Sequence, residues 1–216
     1  MTKKVSFLVD GFNVYHSLSE LQRRNVPHVK WLDLRTLCQG YLQAVRNELG
    51  ERVELANVYY FSALAEHLTA RKPDVVARHR AYIKALESSG VRVQLSQFKK
   101  KDVRCPVCGE TFARFEEKET DVAIGLKLVE VLATNECQTV VLVTGDTDMM
   151  PAISTARRLF RQCPIGVAFP FLRHNRALAE RADYSFKIDQ RAITKAQFPE
   201  RVALTDGAMI VRPAGW

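Results

Sequence analysis

Two largely apolar segments of the sequence end in aspartates. Val5–Val9 leads directly into Asp10, and Val140–Val143 is closely followed by Asp146 and Asp148. Apolar runs of this length, rich in β-branched residues, are typical of strands buried in a parallel sheet. The carboxyl ends of parallel strands meet at one edge of the sheet, where such proteins bind their ligands, so we expect the three carboxylates to share one crevice.

A fourth carboxylate is predicted in the same crevice. Asp121 opens the apolar segment 121–132, which has the spacing of a helix, and a carboxylate in the first turn is favoured by the helix dipole. Neighbouring carboxylates repel one another unless a cation joins them. Mg²⁺ and Mn²⁺ prefer such oxygen ligands, so the pattern predicts a site for one or two of these ions. The predicted metal ligands are Asp10, Asp121, Asp146 and Asp148. The alternative is a set of ordinary turns and helix caps.

Asn13 lies three residues after Asp10. Its amide could orient Asp10 or contact a substrate phosphate; alternatively, Asn13 caps a helix beginning at Val14. Thr144 and Thr147 flank the later acids and could hold a water or the metal, or serve only as turn residues.

The order of the predicted elements is that of an α/β fold. Strands are predicted at 5–10, 53–62, 91–95, 140–144, 165–169 and 185–188, and helices at 32–49, 73–88, 121–132, 151–160 and 175–181. Continuous apolar strands that alternate with helices predict a three-layer sandwich around a central, mostly parallel sheet.

One domain is predicted at 1–190, with a small Cys-containing hairpin insertion at 98–117. The remaining 191–216 predicts a C-terminal hairpin appendage that turns at Asp206–Gly207. With 216 residues, 47% hydrophobic and 26% charged, the chain fits a single folded domain.

The bulk properties also bear on location and partners. No apolar run reaches the roughly 18 residues of a membrane span, and no signal-peptide pattern precedes the first strand, which predicts a cytoplasmic protein without membrane contact. A net charge of +8 favours an anionic partner such as nucleic acid.

Three motifs resemble those of the NYN domain family, in the LabA-like branch of the PIN-like nuclease superfamily. They are Val9–Asn13, Lys118–Val122 and Val143–Asp148, and their order and spacing match across residues 4–190. The resemblance implies a PIN-like (Rossmannoid) fold and a metal-dependent ribonuclease, which hydrolyses RNA phosphodiesters with a metal-activated water at a four-aspartate site. The implied catalytic residues are Asp10, Asn13, Asp121, Asp146 and Asp148.

One position departs from the family pattern. Many relatives carry a further aspartate nearly two helical turns after Asp121, and here that position is Lys127. A second interpretation is therefore a catalytically weak or inactive RNA-binding or regulatory module. A third, a metal-dependent phosphatase, is disfavoured because Asp10 is followed by Gly-Phe rather than by the Asp-x-Asp pair of haloacid dehalogenase-type sites.

The insertion contains Cys105-Pro-Val-Cys108 followed by Gly109, which has the form of a zinc knuckle. Four-coordinate zinc needs two more ligands. The candidates are His67, His79, another cysteine, or the same pair from a second copy of the chain, which would make a homodimer. The alternatives are a redox pair or two unligated thiols. The other three cysteines are isolated in sequence, which favours reduced thiols over a disulfide framework.

Basic residues crowd beside this motif, interleaved with Phe98, Phe112 and Phe115, as in surfaces that combine phosphate contacts with base stacking. The alternative is a solvated face on a core-packed hairpin. Arg173 follows a predicted strand end that would bring it to the crevice. The candidate RNA contacts are Lys99, Lys100, Lys101, Arg104 and Arg173.

Overall fold

The computed structural model describes residues 2–216 and is built around a seven-stranded sheet. Its strands are β1 (Lys3–Asp10), β2 (Val53–Ala63), β3 (Arg92–Arg104), β4 (Thr111–Lys118), β5 (Thr139–Val143), β6 (Ile165–Phe169) and β7 (Tyr184–Lys187). Their spatial order is β4-β3-β2-β1-β5-β6-β7. All neighbouring strands are parallel except β3 and β4. The predicted central, mostly parallel sheet is therefore confirmed.

Helices cover both faces of this sheet. They are α1 (Gly11–Arg23), α2 (Leu34–Gly40), α3 (Leu42–Leu49), α4 (Asp74–Ser88), α5 (Thr120–Ala133), α6 (Met150–Leu159), α7 (Arg176–Arg181) and α8 (Gln190–Lys195). Because successive side chains of a strand point to opposite faces, Phe7 and Val9 of β1 pack into the core beneath α1 to α4. Leu8 packs instead into the core beneath α5, α6 and α7. The result is the predicted three-layer sandwich.

The sheet reverses its strand order beside β1. From β1 the chain continues outward through β2 and β3 on one side, whereas β5, β6 and β7 continue outward on the other. A crevice opens at the carboxyl ends of the two strands where such an order reverses. Here those strands are β1 and β5, the two that carry the acids predicted to do chemistry.

The Cys-containing segment forms a longer hairpin than expected. The strand predicted at 91–95 continues to Arg104, and β4 returns antiparallel from Thr111 to Lys118. Most residues of this two-stranded ribbon are polar and exposed, because both of its faces reach solvent. The hairpin insertion is thus an extension of the sheet.

The single helix predicted at 32–49 is wrong in one respect, since it divides into α2 and α3 at Tyr41. The Tyr41 hydroxyl accepts a hydrogen bond from the Asp189 amide (2.9 Å), and its ring stacks on Phe186 at a centroid distance of 5.2 Å. Asp33 caps α2, and Gly50 ends α3 in a left-handed conformation.

The C-terminal appendage packs on the same core as the sheet. It contains α8 and a hairpin of β8 (Arg201–Ala203) and β9 (Met209–Val211), which turns at the predicted position. Trp31 lies against Phe198 and donates its indole N–H to the Pro199 carbonyl (2.8 Å). Among the helices of residues 2–216, none combines the length and apolar character that crossing a membrane requires.

Candidate functional site

Asp10 stands at the junction of β1 and α1 and is almost fully buried, with 4% of its surface exposed. Its Oδ1 accepts a hydrogen bond from the Asn13 amide (3.0 Å), so Asp10 is the N-cap of α1. Its Oδ2 accepts one from the Thr144 hydroxyl (2.8 Å). Burial raises the pKa of this carboxyl, while the hydrogen bonds oppose the rise and repulsion from Asp146 adds to it.

The prediction that Asn13 caps a helix beginning at Val14 is wrong, because α1 already begins at Gly11. Asn13 instead lies in the first turn, and its side-chain oxygen accepts a hydrogen bond from the Gly145 amide (3.1 Å). This contact joins α1 to the loop after β5. Asn13 therefore holds the two acid-bearing loops together, which fits the predicted role of orienting Asp10.

Thr144 makes the second connection between the two loops. It is 1% exposed, and its hydroxyl both donates to Asp10 and accepts from the Asp146 amide (3.1 Å). The short 3-10 turn Thr147–Met149 follows, with Asp146 as its N-cap: Asp146 Oδ1 accepts from the Asp148 amide (3.0 Å). The Asp146 side chain is half-buried and that of Asp148 is exposed.

Asp121 lies in the first turn of α5, as predicted. Partial burial, followed by repulsion from Asp10, Asp146, Glu117 and Asp148, raises the pKa of Asp121 to about 6. The four predicted acids thus interact electrostatically across one crevice.

Glu117 is a fifth carboxylate of this crevice that sequence reasoning missed. It lies near the end of β4, and its Oε1 accepts a hydrogen bond from the Thr120 amide at the start of α5 (3.2 Å). The only signal in the sequence was its position four residues before Asp121, one helical turn away if α5 is extended backwards.

The donor chemistry of the crevice fits a hard divalent cation. Several carboxylates raise one another's pKa, and a cation between them would relieve this repulsion. Within residues 2–216, however, no three His, Cys, Asp or Glu side chains form a group able to hold a metal directly. One or two direct carboxylate contacts completed by water, the common arrangement for Mg²⁺, fit this spacing better than a closed protein cage.

Lys127 contacts Glu130 and Tyr59. Its ammonium pairs with Glu130 (2.7 Å) and lies 5.2 Å from the ring centroid of Tyr59. Tyr59 lies on β2, opposite Leu8 and so two residues short of the end of β1. The lysine that stands where many relatives carry an aspartate therefore pairs with a neighbouring glutamate, and its side chain, 18% exposed, lies against Tyr59 of the sheet.

The loop after β6 forms the opposite wall of the crevice. The Arg173 backbone packs so closely on Gly145 that a side chain at 145 would meet the Arg173 carbonyl oxygen. His16, a residue that sequence reasoning missed, lies one helical turn after Asn13. Burial, and then the charge of Arg173, lower the pKa of His16, while Asp10 opposes the shift. Arg173 thus lies beside the crevice, as predicted.

An open depression of about 580 Å³ continues from the acids between α6 and α7. It is lined by Asp148 and Ser154 on one side and by Arg181 on the other. A carboxylate, a hydroxyl and a guanidinium at one opening can position a charged, hydrogen-bonding substrate.

The lysines of the hairpin are paired with acids rather than free. Lys99 contacts Glu119 (2.9 Å), and Lys101 contacts Glu116 (3.6 Å). Lys100 contacts Asp102 (3.5 Å). All these side chains are largely solvent-exposed except that of Glu116, so each pair is weak and exchangeable.

Two of the three hairpin phenylalanines form an aromatic cluster at its base. Phe98 meets Phe12 edge-on at 5.8 Å, and His67 stacks on Phe115 at 4.4 Å. Phe112 is 52% exposed and is therefore the one free to meet a base. The predicted stacking surface is narrower than expected, since Phe98 is half-buried against α1.

Cys105 and Cys108 lie at the tip of the hairpin, where both thiols are free. The amides of Val107 and Cys108 point at the Cys105 sulfur and lower the pKa of that thiol. His67 and His79, the suggested additional zinc ligands, are occupied elsewhere: His67 lies in the aromatic cluster, and His79 Nε2 is 3.5 Å from the Tyr60 hydroxyl.

Known proteins share this architecture. The crystal structure of a protein of unknown function from Vibrio parahaemolyticus RIMD 2210633 superposes with a TM-score of 0.53 and 19% identity, covering 88% of this chain and 94% of that one. The likeness supports the fold alone. In sequence, 6-hydroxy-3-succinoylpyridine 3-monooxygenase HspA of Pseudomonas putida (strain DSM 28022 / S16) is 27% identical over 193 residues. That match covers 78% of this chain, which spans 60% of the relative.

The family comparison covers nearly all of the sandwich. The model of the NYN domain matches residues 4–189, a range that includes the acids of the crevice and the hairpin. The LabA-like branch stays a prediction. A match over this much of the sequence, on a sheet whose order reverses at the acidic crevice, shows that the chain belongs to the NYN domain family.

Proposed function

We propose that this NYN-domain chain is a Mg²⁺- or Mn²⁺-dependent ribonuclease. One observation carries the proposal. Asp10 and Asp146 come from the two central strands at the point of strand reversal, and Thr144 hydrogen-bonds to both of them. These hydrogen bonds hold two carboxylates at the edge of the sheet where ligands bind. This arrangement is stronger support for a metal site than the presence of acids in the sequence.

The four aspartates would bind the cation, and the hydrogen bonds between the two loops would fix the positions of the aspartates. Asp10, Asp121, Asp146 and Asp148 are the proposed ligands, through direct or water-mediated contacts. When bound, the ion would lower the pKa of water and stabilise the negative charge that develops at phosphorus. Asn13 and Thr144 fix the separation of the two loops, so the acids need little reorganisation to meet the substrate.

Basic side chains around the crevice would bind the RNA backbone. Arg173 lies next to the acids, and Arg181 lines the adjoining depression. Neither guanidinium forms an ion pair with an acid in the part of the chain that the structure describes. Phosphate binding by such groups would give an affinity that falls as salt concentration rises.

Cleavage of a fluorescently labelled single-stranded RNA tests the proposal. We expect cleavage with Mg²⁺ or Mn²⁺ and none with a chelator. Asp146→Asn should lower the rate by more than ~100-fold. Loss of a residue that only hydrogen-bonds to a metal ligand lowers activity by about 10- to 100-fold, and loss of a ligand itself should have a larger effect. The matched control Asp206→Asn removes the same charge from the distant turn between β8 and β9 and should retain the wild-type rate.

The main alternative is an RNA-binding module without turnover. A folded, metal-loaded wild-type protein that binds RNA but cleaves no RNA of varied sequence would favour this alternative. The feature that favours this alternative is Lys127, which stands where many relatives carry a further aspartate and pairs with Glu130.

Oxygenation is a second candidate that rests on the name of one relative. That protein is called a monooxygenase of 6-hydroxy-3-succinoylpyridine, and this chain spans 60% of its length. Oxygen uptake with a hydroxylated pyridine and a reductant, together with no RNA cleavage, would favour this candidate over the ribonuclease.

A further inference from the structure

The tip of the β3–β4 hairpin is folded as a metal-binding knuckle. The Cys105 amide donates to the Glu110 carbonyl (2.7 Å), and the Gly109 amide donates to the Cys105 carbonyl (3.0 Å). Gly109 makes this turn in the left-handed region at φ 76°. The turn brings both cysteines to one side, with backbone amides directed at the Cys105 sulfur. A short loop that directs amides at a thiolate is the form of half a structural zinc site.

The knuckle has half of the ligands that zinc requires. Among the side chains of residues 2–216, no third His, Cys, Asp or Glu completes a metal-binding group with the two thiols. The Glu110 carboxylate instead accepts a long hydrogen bond from the Cys108 thiol (4.0 Å). The acidic crevice is too distant to contribute. Phe98 pairs with Glu117 at the base of the arm, and seven residues of strand at ~3.3 Å each place Cys105 about 23 Å away.

We propose that zinc binds at this tip and joins two copies of the chain, each of which supplies Cys105 and Cys108. Two identical half-sites on a two-fold axis give the four thiolates of a closed tetrahedral site. The inference is independent of the proposed ribonuclease activity, since it uses none of the acids.

The surroundings of the tip favour a second copy as the partner. The hairpin projects from the sheet, and Val107 between the cysteines is 93% exposed, so two tips can meet without a clash of the domains and cover this apolar side chain. Arg104 packs on the knuckle and donates to the Gly109 carbonyl (3.2 Å). Its guanidinium would offset the excess negative charge of four thiolates on one Zn²⁺. This contact gives Arg104 a role other than binding RNA.

Native mass spectrometry and light scattering of the full chain test the inference, with a phosphine reductant present. Added Zn²⁺ should double the mass from that of a monomer, and the zinc that is lost on Cys105→Ser should amount to one ion per two chains; a chelator should reverse both. When Zn²⁺ is added, Cys105→Ser should bind no zinc at the knuckle and stay monomeric. Cys163→Ser, a matched change in the loop after α6, should dimerise like the wild type. Glu110→Gln should also dimerise, because Glu110 is not a ligand.

Several outcomes would overturn the inference. They are one cysteine-dependent zinc per monomer, loss of zinc on Glu110→Gln, or no cysteine-dependent zinc uptake by the reduced protein. Cobalt provides a readout that does not depend on any variant folding. Co²⁺ added to the wild type should saturate at half an equivalent and produce the charge-transfer absorption of thiolate ligation, and saturation at one equivalent would refute the dimer.

Discussion

Without metal, the variant Asp121→Asn should be more stable than the wild type. With metal bound, the variant should be less stable than the wild type. The pKa of Asp121 is raised to about 6 by partial burial and by repulsion from the other acids of the crevice. The folded protein therefore disfavours the ionised carboxylate, and an uncharged amide of the same shape removes this cost. A bound cation would reverse the balance, since it needs the charge.

The expected magnitude follows from the same pKa. A rise from 3.8 to about 6 corresponds to at most ~3 kcal/mol of disfavoured ionisation. Because Asp121 is solvent-exposed, screening reduces this to about 1 kcal/mol. Well below pH 3.8 the carboxylate is protonated in both the folded and the unfolded state, and the two proteins should be equally stable. The advantage of Asp121→Asn should grow between pH 4 and 6 and be complete above pH 6.

Urea unfolding at pH 4 and 7.5, with chelator and with Mg²⁺, measures this difference. At a metal concentration 100 times the dissociation constant the wild type gains ~2.7 kcal/mol, so its order with Asp121→Asn should invert. Asp206→Asn is the control. The chain already has a net charge of +8, so losing a carboxylate at a distance cannot relieve repulsion. If Asp121→Asn were no more stable than the wild type without metal at pH 7.5, the repulsion argument would be refuted.

Three further perturbations test the same framework. Thr144→Val removes a hydrogen bond to a buried carboxylate and should cost ~2–4 kcal/mol in urea unfolding, whereas Thr144→Ser should cost only ~1 kcal/mol; equal losses would contradict the network. Gly145→Ala pushes a methyl group into the Arg173 carbonyl and should cost ~1–3 kcal/mol by thermal melting, with slower RNA cleavage. Burial lowers the pKa of His79 to about 4, so stability should be complete above pH 6.5 and fall as the pH drops towards 4. His79→Phe should remove much of this acid sensitivity in urea titrations, and an unchanged pH profile would show that His79 is not its source.

The sequence was most informative where a strand is buried on both faces. β1 and β5 are continuous apolar runs, and such runs specify both a strand and its place in the centre of a parallel sheet. Asp10 is the last residue of β1, and Asp146 lies three residues after the end of β5. Their common edge could therefore be predicted without knowing any contact.

Contacts set by register could not be predicted in this way. The pairing of Lys99 opposite Glu116, and the placement of Glu117 opposite Phe98, depend on how β4 aligns with β3. The same holds for Asn13, whose side chain meets a backbone amide 132 residues away. Local patterns carry no information about such partners, so neither the acids that pair with the lysines nor the amide that meets Asn13 could be predicted.

The hydrogen bond from Thr144 to Asp10 has a consequence for the order of synthesis. It joins residues 134 apart, and β1 pairs with β5 over the same interval of chain. At about 5–20 residues per second, a ribosome needs roughly 7–27 s to make that interval. Throughout this time Asp10 has neither its hydroxyl donor nor the acids that follow β5. A nascent chain beside ribosomal RNA, or a fragment released before β5, therefore carries no assembled acidic crevice.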